Sequence, residues 1–425
     1  MPAAYTENFT KCNLGTNLTD QNNSISTRFD VRIPFFLSAA TVCSMMLSLF
    51  LLQLFAGLLS ILWLFESIEN KKKAFDIFTL LILIFGAVRI LSIVLSQFPS
   101  DSVQSYYKDA LFYFSFFAFS FYLKAMRKDK LEKIVYIFII SAIAISIIGL
   151  VLFNLKLVER AQSFSSGYAT FSSYLITSLG LYIALPFKEE RKYAWQARSI
   201  GMALILAGVV TSMGRTNIFI AGLLFIAGLF FKKIKIKPAI VIAVLTVLIS
   251  LSSFEMNKKE ITNRVDNPTT LSDRNIILKG AVDLAFVHPL LGFGPRTFHD
   301  IFPYTNLLAD KGIGSWHNDF IQVYFESGIL GELSFLAIIF MFMVIALKYL
   351  KGSPANRILK DVTFGSLLGF AALVLSALTA GFIDSPVLSI LFAFLISTLS
   401  TAFYFNRSEG EQIVSSHNTK SFHFN

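Results

Sequence analysis

The chain has 425 residues, 55% apolar and only 15% charged, with a formal charge of +10. Soluble globular proteins are nearer a quarter charged, so this composition and a mean hydropathy of +0.64 exclude a soluble enzyme, a soluble domain on one anchor and a porin-type barrel. The basic balance needs no nucleic-acid partner, because basic residues of membrane proteins collect on cytoplasmic loops.

Residues 1–33 read as a polar cytoplasmic tail, disordered to about Asp30 and without a signal peptide. Cys12 lies in that tail and Cys43 in an apolar segment, so no disulfide framework or thiolate metal cluster is implied. Apolar runs then alternate with short basic connectors. Membrane spans are expected at 34–50, 51–65, 76–97, 109–125, 133–153, 168–186, 197–213, 216–231 and 238–253, then at 329–348, 362–381 and 386–404. Residues 34–65 form one unbroken run, too long for one upright helix and short for two, and are divided near Leu51. The layout is therefore spans one to nine within 34–253, a large loop at 254–328, three more spans within 329–404, and a polar cytoplasmic tail at 405–425. The expected fold is an all-α polytopic membrane protein of about twelve transmembrane helices.

Charge gives the orientation. One alternate set of connectors, from Lys71 to Lys360, holds twenty Lys and Arg; the intervening short connectors hold four, Lys108, Lys156, Arg160 and Arg215. The positive-inside rule puts the rich set and both tails in the cytoplasm, and the 254–328 loop on the outer face. A loop of that length tends to carry function. Within it, Ser272 is placed to cap a helix over about 273–287, which His288-Pro289 ends. Gly292-Phe293-Gly294-Pro295 makes a tight turn, and a short amphipathic helix carries Phe320, Ile321, Tyr324 and Phe325 on its apolar side. His317 thus stands at a helix start, where free N–H groups favour anions and a neutral imidazole can serve as a base.

The order Arg274 … Pro289-Leu290-Leu291-Gly292-Phe293-Gly294-Pro295-Arg296-Thr297-Phe298 … His317-Asn318-Asp319-Phe320 … Glu326-Ser327-Gly328-Ile329-Leu330-Gly331 resembles the signature of the O-antigen ligase and O-antigen polymerase superfamily. The resemblance covers about residues 30–405 and includes the topology. It implies a GT-C-like fold with one large periplasmic loop in the bacterial inner membrane, and glycosyl transfer on the periplasmic face. The implied donor is a polysaccharide on undecaprenyl pyrophosphate; the implied acceptor is a lipid A–core sugar in the ligases, or another lipid-linked glycan in the polymerases. The implied reaction is inverting and metal-independent, with no cofactor, a loop histidine as base and arginines on the pyrophosphate. Arginine suits that anion because its planar fork binds phosphate bidentately.

On this reading His317 is the base, against the plainer role of a backbone-bonding cap, and Asn318 orients or caps. Arg215 follows Thr211-Ser212-Met213-Gly214, a partial match to the family's arginine motif; the alternative is a snorkelling interfacial arginine. Arg274 matches the arginine upstream of the turn, Arg160 matches loosely and has Glu159 beside it, and Arg296 stands where a small residue is usual. Trp316 stacks on a sugar or belongs to the interfacial aromatic belt. Arg89, inside span three, contacts donor or pairs with a carboxylate. Asp384 pairs with an arginine or caps the last span; Glu326 is poorly spaced to orient His317, and His288 and His299 read as solvated. Membrane lipids are partners on any of these readings. The reading from another class, a transporter or lipid-linked glycan flippase, predicts inverted repeats and several midplane charges, which the chain lacks.

Overall fold

The computed structural model describes residues 25–185, 193–257, 271–308, 314–352 and 356–421, with side chains at all of these except 105–108, 271–273 and 408–421. Regular structure among the described residues is entirely helical. A helix falls on every expected span: α1 (Arg32–Ser44), α2 (Leu49–Leu64), α4 (Ile77–Val94), α5 (Pro99–Ala125), α6 (Lys128–Asn154), α7 (Tyr168–Ala184), α8 (Ala194–Thr211), α9 (Arg215–Phe230) and α10 (Ile236–Met256), then α13 (Asp319–Lys351), α14 (Arg357–Ala377) and α15 (Pro386–Ser421). The shorter helices are α3 (Ile68–Lys73), α11 (Leu271–Leu284) and α12 (Phe298–Ile301), with a 3₁₀ turn at Thr305–Leu307. By length and composition α4, α6, α8, α10, α13, α14 and α15 can cross a membrane, and α1, α2 and α9 are apolar but shorter. The protein is a multi-pass helical membrane protein.

Several boundaries move from their expected places, each for a local reason. The 34–65 run breaks at Met45–Ser48, ahead of Leu51, where the Ser48 hydroxyl accepts from Leu51 N at 3.4 Å and starts α2. The 13 and 16 residues of α1 and α2 reach about 20 and 24 Å at 1.5 Å per residue, short of a ~30 Å hydrocarbon layer. Helix α5 begins at Pro99, ten residues before the apolar run, because proline suits a first turn whose N–H is unused anyway. The loop helix is Leu271–Leu284, slightly N-terminal to its expected place; the proposed Ser272 cap lies outside the described side chains, as does the tail to residue 24. The last helix continues past 404 to Ser421.

Packing within the bundle occupies many of the phenylalanines. Helix α15 sits at the centre, 89% of its apolar window buried, while α10 at the rim is 22% buried. Rings join the helices around it: Phe342 stacks on Phe370 with centroids 3.7 Å apart, Phe370 on Phe392 at 5.4 Å, and Phe394 meets Phe119 and Phe138 at 5.7 and 5.5 Å. Such pairs add attraction beyond area burial. Helices α7 and α14 touch backbone to backbone, since a Cβ on Gly180 would lie 2.4 Å from Gly369 N.

One end of the bundle holds the basic connectors and three buried charge contacts. Lys124 Nζ donates to Asp76 at 2.9 Å and to the Ala74 carbonyl at 2.7 Å, Lys233 pairs with Asp361, and Glu66 accepts from Arg28 N and the Tyr122 hydroxyl. The opposite end, where α4 and α14 finish and α5 and α9 begin, receives residues 271–308 and 314–328 and is called the loop end.

Candidate active site

The loop segment has its own small core: Ile277, Ala281, Phe293, Phe298, Phe302, Leu308, Trp316 and Phe325. Trp316 is at its centre, stacked on Phe325 with centroids 4.2 Å apart and edge-on to Phe298 and Phe302. At 3% exposure it offers no ring face to a sugar and no side to an interfacial belt. Both expectations for Trp316 are corrected: it is a packing residue, and its flat ring supports the turn that presents His317.

The 289–296 turn is laced to the bundle. Phe293 N donates to the Phe325 carbonyl at 2.7 Å and Gly294 N to the Glu326 carbonyl at 3.1 Å. The Ser92 hydroxyl contacts the carbonyls of Leu291 and Glu326 at 2.5 Å each, and Ser96 donates to the Phe293 carbonyl at 2.6 Å. Opposite this turn α13 breaks at Gly328, φ 64° and ψ −167°, which separates a short first helix from the long one. A Cβ at Gly328 would lie 2.2 Å from the Leu290 carbonyl carbon, so glycine is required by both backbone and space. His288 is less solvated than expected, 3.1 Å from Gln97 Nε2 and edge-on to Phe293.

His317 stands immediately before that short helix, exposed and in the left-handed region at φ 49°. Its Nδ1 is 3.5 Å from the Ser315 hydroxyl. Asn318 is the helix cap: Oδ1 accepts from Phe320 N and Ile321 N at 3.0 and 3.2 Å, and Nδ2 donates to the Leu378 carbonyl at 3.3 Å. Asp319 is fully buried and accepts from Phe382 N at 2.7 Å and Ile383 N at 3.3 Å. These bonds tie the histidine to the 378–383 turn after α14. Arg274, exposed in α11, donates to the Thr379 carbonyl of the same turn at 3.4 Å. Desolvation, then the positive charge of Arg274, hold the His317 imidazolium below its usual pKa. Both effects favour the neutral imidazole, the form a base requires.

Arg215 is the exposed first residue of α9, and no side chain caps the helix ahead of it. Two residues on, Asn217 is buried in a knot joining three helices. Its Nδ2 donates to Ser172 at 2.6 Å and Ser173 at 3.2 Å, and its Oδ1 accepts from Ser376 at 2.9 Å, while Ser173 and Ser376 lie 2.7 Å apart. The knot places the start of α9 beside the end of α14, hence beside the turn that holds Arg274 and Asn318. Ala161 N donates to the Thr211 carbonyl at 3.1 Å, bringing Arg160 to the same end, with its guanidinium 4.1 Å over the Tyr168 ring. Of the five non-glycine residues with positive φ among the described residues, Met213, Arg296 and His317 lie at this site; strained backbone concentrates at functional places.

Arg89 departs from its expected donor contact. It is 4% exposed, with Nη1 on Glu326 Oε2 and Nη2 on Asp109 Oδ2, both at 2.9 Å. No donor reaches a guanidinium so enclosed, and the ion-pair alternative holds. Asp384 is not the cap of α15, a role taken by the Ser385 hydroxyl under Leu388 N; its carboxylate accepts from Gln322. Burial raises the Asp384 pKa, with Asp109 adding to the rise. Glu326 turns away from His317 into this cluster. Sequence alone does not mark Asp109, Asp319, Gln322 or Asn217; for Asp109 the signal is Arg89 itself, whose buried charge demands carboxylates. Among the described residues no group of three or more His, Cys, Asp or Glu is placed to hold a metal ion.

Fold and site together define a multi-pass helical membrane protein with cations and a histidine gathered at one end, a set suited to an anionic substrate. Residues 200–336 match the family model described as O-antigen ligase, which supports an O-antigen ligase-like superfamily. That stretch contains Arg215, Arg274, Arg296, His317, Asn318 and Glu326, and leaves Arg89, Asp109, Arg160 and Asp384 outside. No curated protein matches the chain. The family supports an enzyme role and, in general, lipid-linked glycan and lipid acceptor substrates.

Proposed function

We propose that the protein is an O-antigen ligase of the bacterial inner membrane. It transfers a glycan en bloc from undecaprenyl pyrophosphate to a hydroxyl of a lipid A–core sugar on the periplasmic face. The observation that carries this reading is His317 beside Arg274 at the loop end of the bundle, with Arg215 and Arg160 at the same end. The alternation of connector charge supports the reading of twelve crossings with both tails cytoplasmic, in which that end faces the periplasm.

In this mechanism His317 accepts the proton of the acceptor hydroxyl as its oxygen attacks the anomeric carbon. The new glycosidic bond forms on the face opposite the breaking bond to the pyrophosphate. The leaving lipid pyrophosphate keeps that bond's electron pair, and Arg215 and Arg274 stabilise its charge. It needs no proton, which is why a base and cations suffice. Asn318 fixes the start of the helix that carries His317, and Arg160 and Arg296 add contacts to donor.

A His317→Ala strain that still makes fully ligated lipopolysaccharide would overturn the assigned base. The second reading, polymerase, rests on the same family match and separates in the same experiment. If His317→Ala or Arg215→Ala cells accumulate long lipid-linked polymer, the protein is the ligase; if they accumulate single lipid-linked repeat units, it is the polymerase.

A further inference from the structure

Arg296 differs from the other arginines of the loop end in how it is held. Its backbone lies at φ 59°, where a side chain is strained, yet its N–H is fixed by a 2.9 Å bond to Glu326 Oε1. Glu326 is itself locked, with Oε2 on Arg89 at 2.9 Å and Oε1 also accepting from Gln322 Nε2 at 3.1 Å. Arg89 holds Asp109 with its other nitrogen, and Asp109 Oδ1 faces Arg296 Nη2 at 3.5 Å. A closed ring results, Arg89–Glu326–Arg296–Asp109, joining α4, α5, α13 and the 289–296 turn.

The ring is tight everywhere but at the Arg296 guanidinium. Arg89 keeps 4% of its side chain exposed and its two carboxylate bonds are short; Arg296 keeps 26% exposed and its ion pair with Asp109 is long. Arg296 Nε is buried with no hydrogen-bond partner among the described residues. Asp109 gives its shorter bond to Arg89, and Asp384 faces the same pair of guanidiniums from the turn before α15. Arg296 is thus a cation with unused donors, on a backbone that would relax if Glu326 let go.

We propose that Glu326 is a positioning residue that, anchored by Arg89, holds Arg296 in its strained conformation so that the Arg296 guanidinium grips the pyrophosphate of the lipid-linked donor. This rests on the donor class of the preceding section and adds a residue that touches no substrate but decides where one cation stands. It also gives Arg89 its role, as the fixed point of the ring.

The test uses the full chain purified in detergent, with undecaprenyl pyrophosphate as the binding probe. Arg296→Ala is expected to weaken binding about tenfold, as loss of a charge-assisted hydrogen bond does. Glu326→Gln should weaken it similarly, and the double variant should be no weaker than the worse single, because both act on one contact. The thermal midpoint is measured alongside: a merely structural Glu326 lowers the midpoint and leaves the Kd alone. If Glu326→Gln does not fold, Gln322→Ala, which removes one of the bonds holding the Glu326 carboxylate, takes its place with the same expectation. Unchanged binding in Glu326→Gln, or losses that multiply in the double variant, overturns the proposal. If Arg215→Ala weakens binding but Arg296→Ala does not, this inference fails and the donor assignment stands. If the unaltered chain does not bind the probe, the donor assignment itself fails.

Discussion

Arg89 Nη1 and Glu326 Oε2 lie 2.9 Å apart across 237 positions of sequence, both almost fully buried. A buried pair gains little over well-packed apolar residues, but removing one partner strands the other. Arg89→Ala strands Glu326 and Asp109 together and should cost about 3–5 kcal/mol. Arg89→Lys keeps the charge and loses the fork that serves two carboxylates, so it should fall between. Unfolding of the purified variants in detergent, followed by circular dichroism, checks the order.

Gly328→Ala should be as damaging without removing any polar group. Holding a non-glycine residue at φ 64° costs about 1–3 kcal/mol, and the new methyl group would meet the Leu290 backbone at 2.2 Å. The expected outcome is little folded protein and faster proteolysis in the 289–296 turn, read by limited digestion. Gly331→Ala is a comparison at ordinary helical φ, where the new methyl group would lie 2.3 Å from the Ser327 Cβ, an atom that side-chain rotation does not move, so it too should destabilise.

Removing the positive charge of Arg274 should move a pH profile in a defined direction. Desolvation and Arg274 both depress the His317 pKa, so the base stays deprotonated to lower pH than an ordinary histidine. In Arg274→Ala only desolvation remains, the pKa rises, and the acid limb of kcat/KM against pH should shift upward. Arg274→Lys should leave the limb near its original position. The shape of the profile is compared, because Arg274 also serves the donor and the maximum will drop.

Asn217→Ala should loosen the start of α9. Three hydroxyl groups lose their shared amide, at about 1–3 kcal/mol for a buried polar group left unpaired. Because Arg215 is two residues away, transfer should fall even where the protein still folds. The comparison is lipid-linked glycan accumulation per amount of protein in the membrane.

Helix positions were legible because a hydrocarbon layer demands long apolar runs, and the runs are unmistakable in this chain. His317, Asn318 and Arg274 were legible as a motif, and the structure brings them to one turn. What composition does not display is pairing across the bundle. Asp109 sits at the edge of an apolar run and Asp319 looks like a first-turn helix charge; only the fold shows one on Arg89 and the other on the Phe382 and Ile383 amides. Trp316 was misread because a tryptophan near a membrane surface suits a belt, and nothing local reveals that four aromatic rings close around one another. The strained φ of Arg296 and His317 is likewise invisible to periodicity.

The central place of α15 bears on how the protein is made. The helix that fills the middle of the bundle is translated after all the other helices among the described residues. Until it inserts, Phe119, Phe138 and Phe370 face a gap, and the 378–385 turn that receives Asn318, Asp319 and Gln322 has no fixed far side. The nascent chain therefore carries its histidine and arginines through most of synthesis without the frame that aligns them. Catalytic competence should arrive abruptly, with the insertion of a single segment.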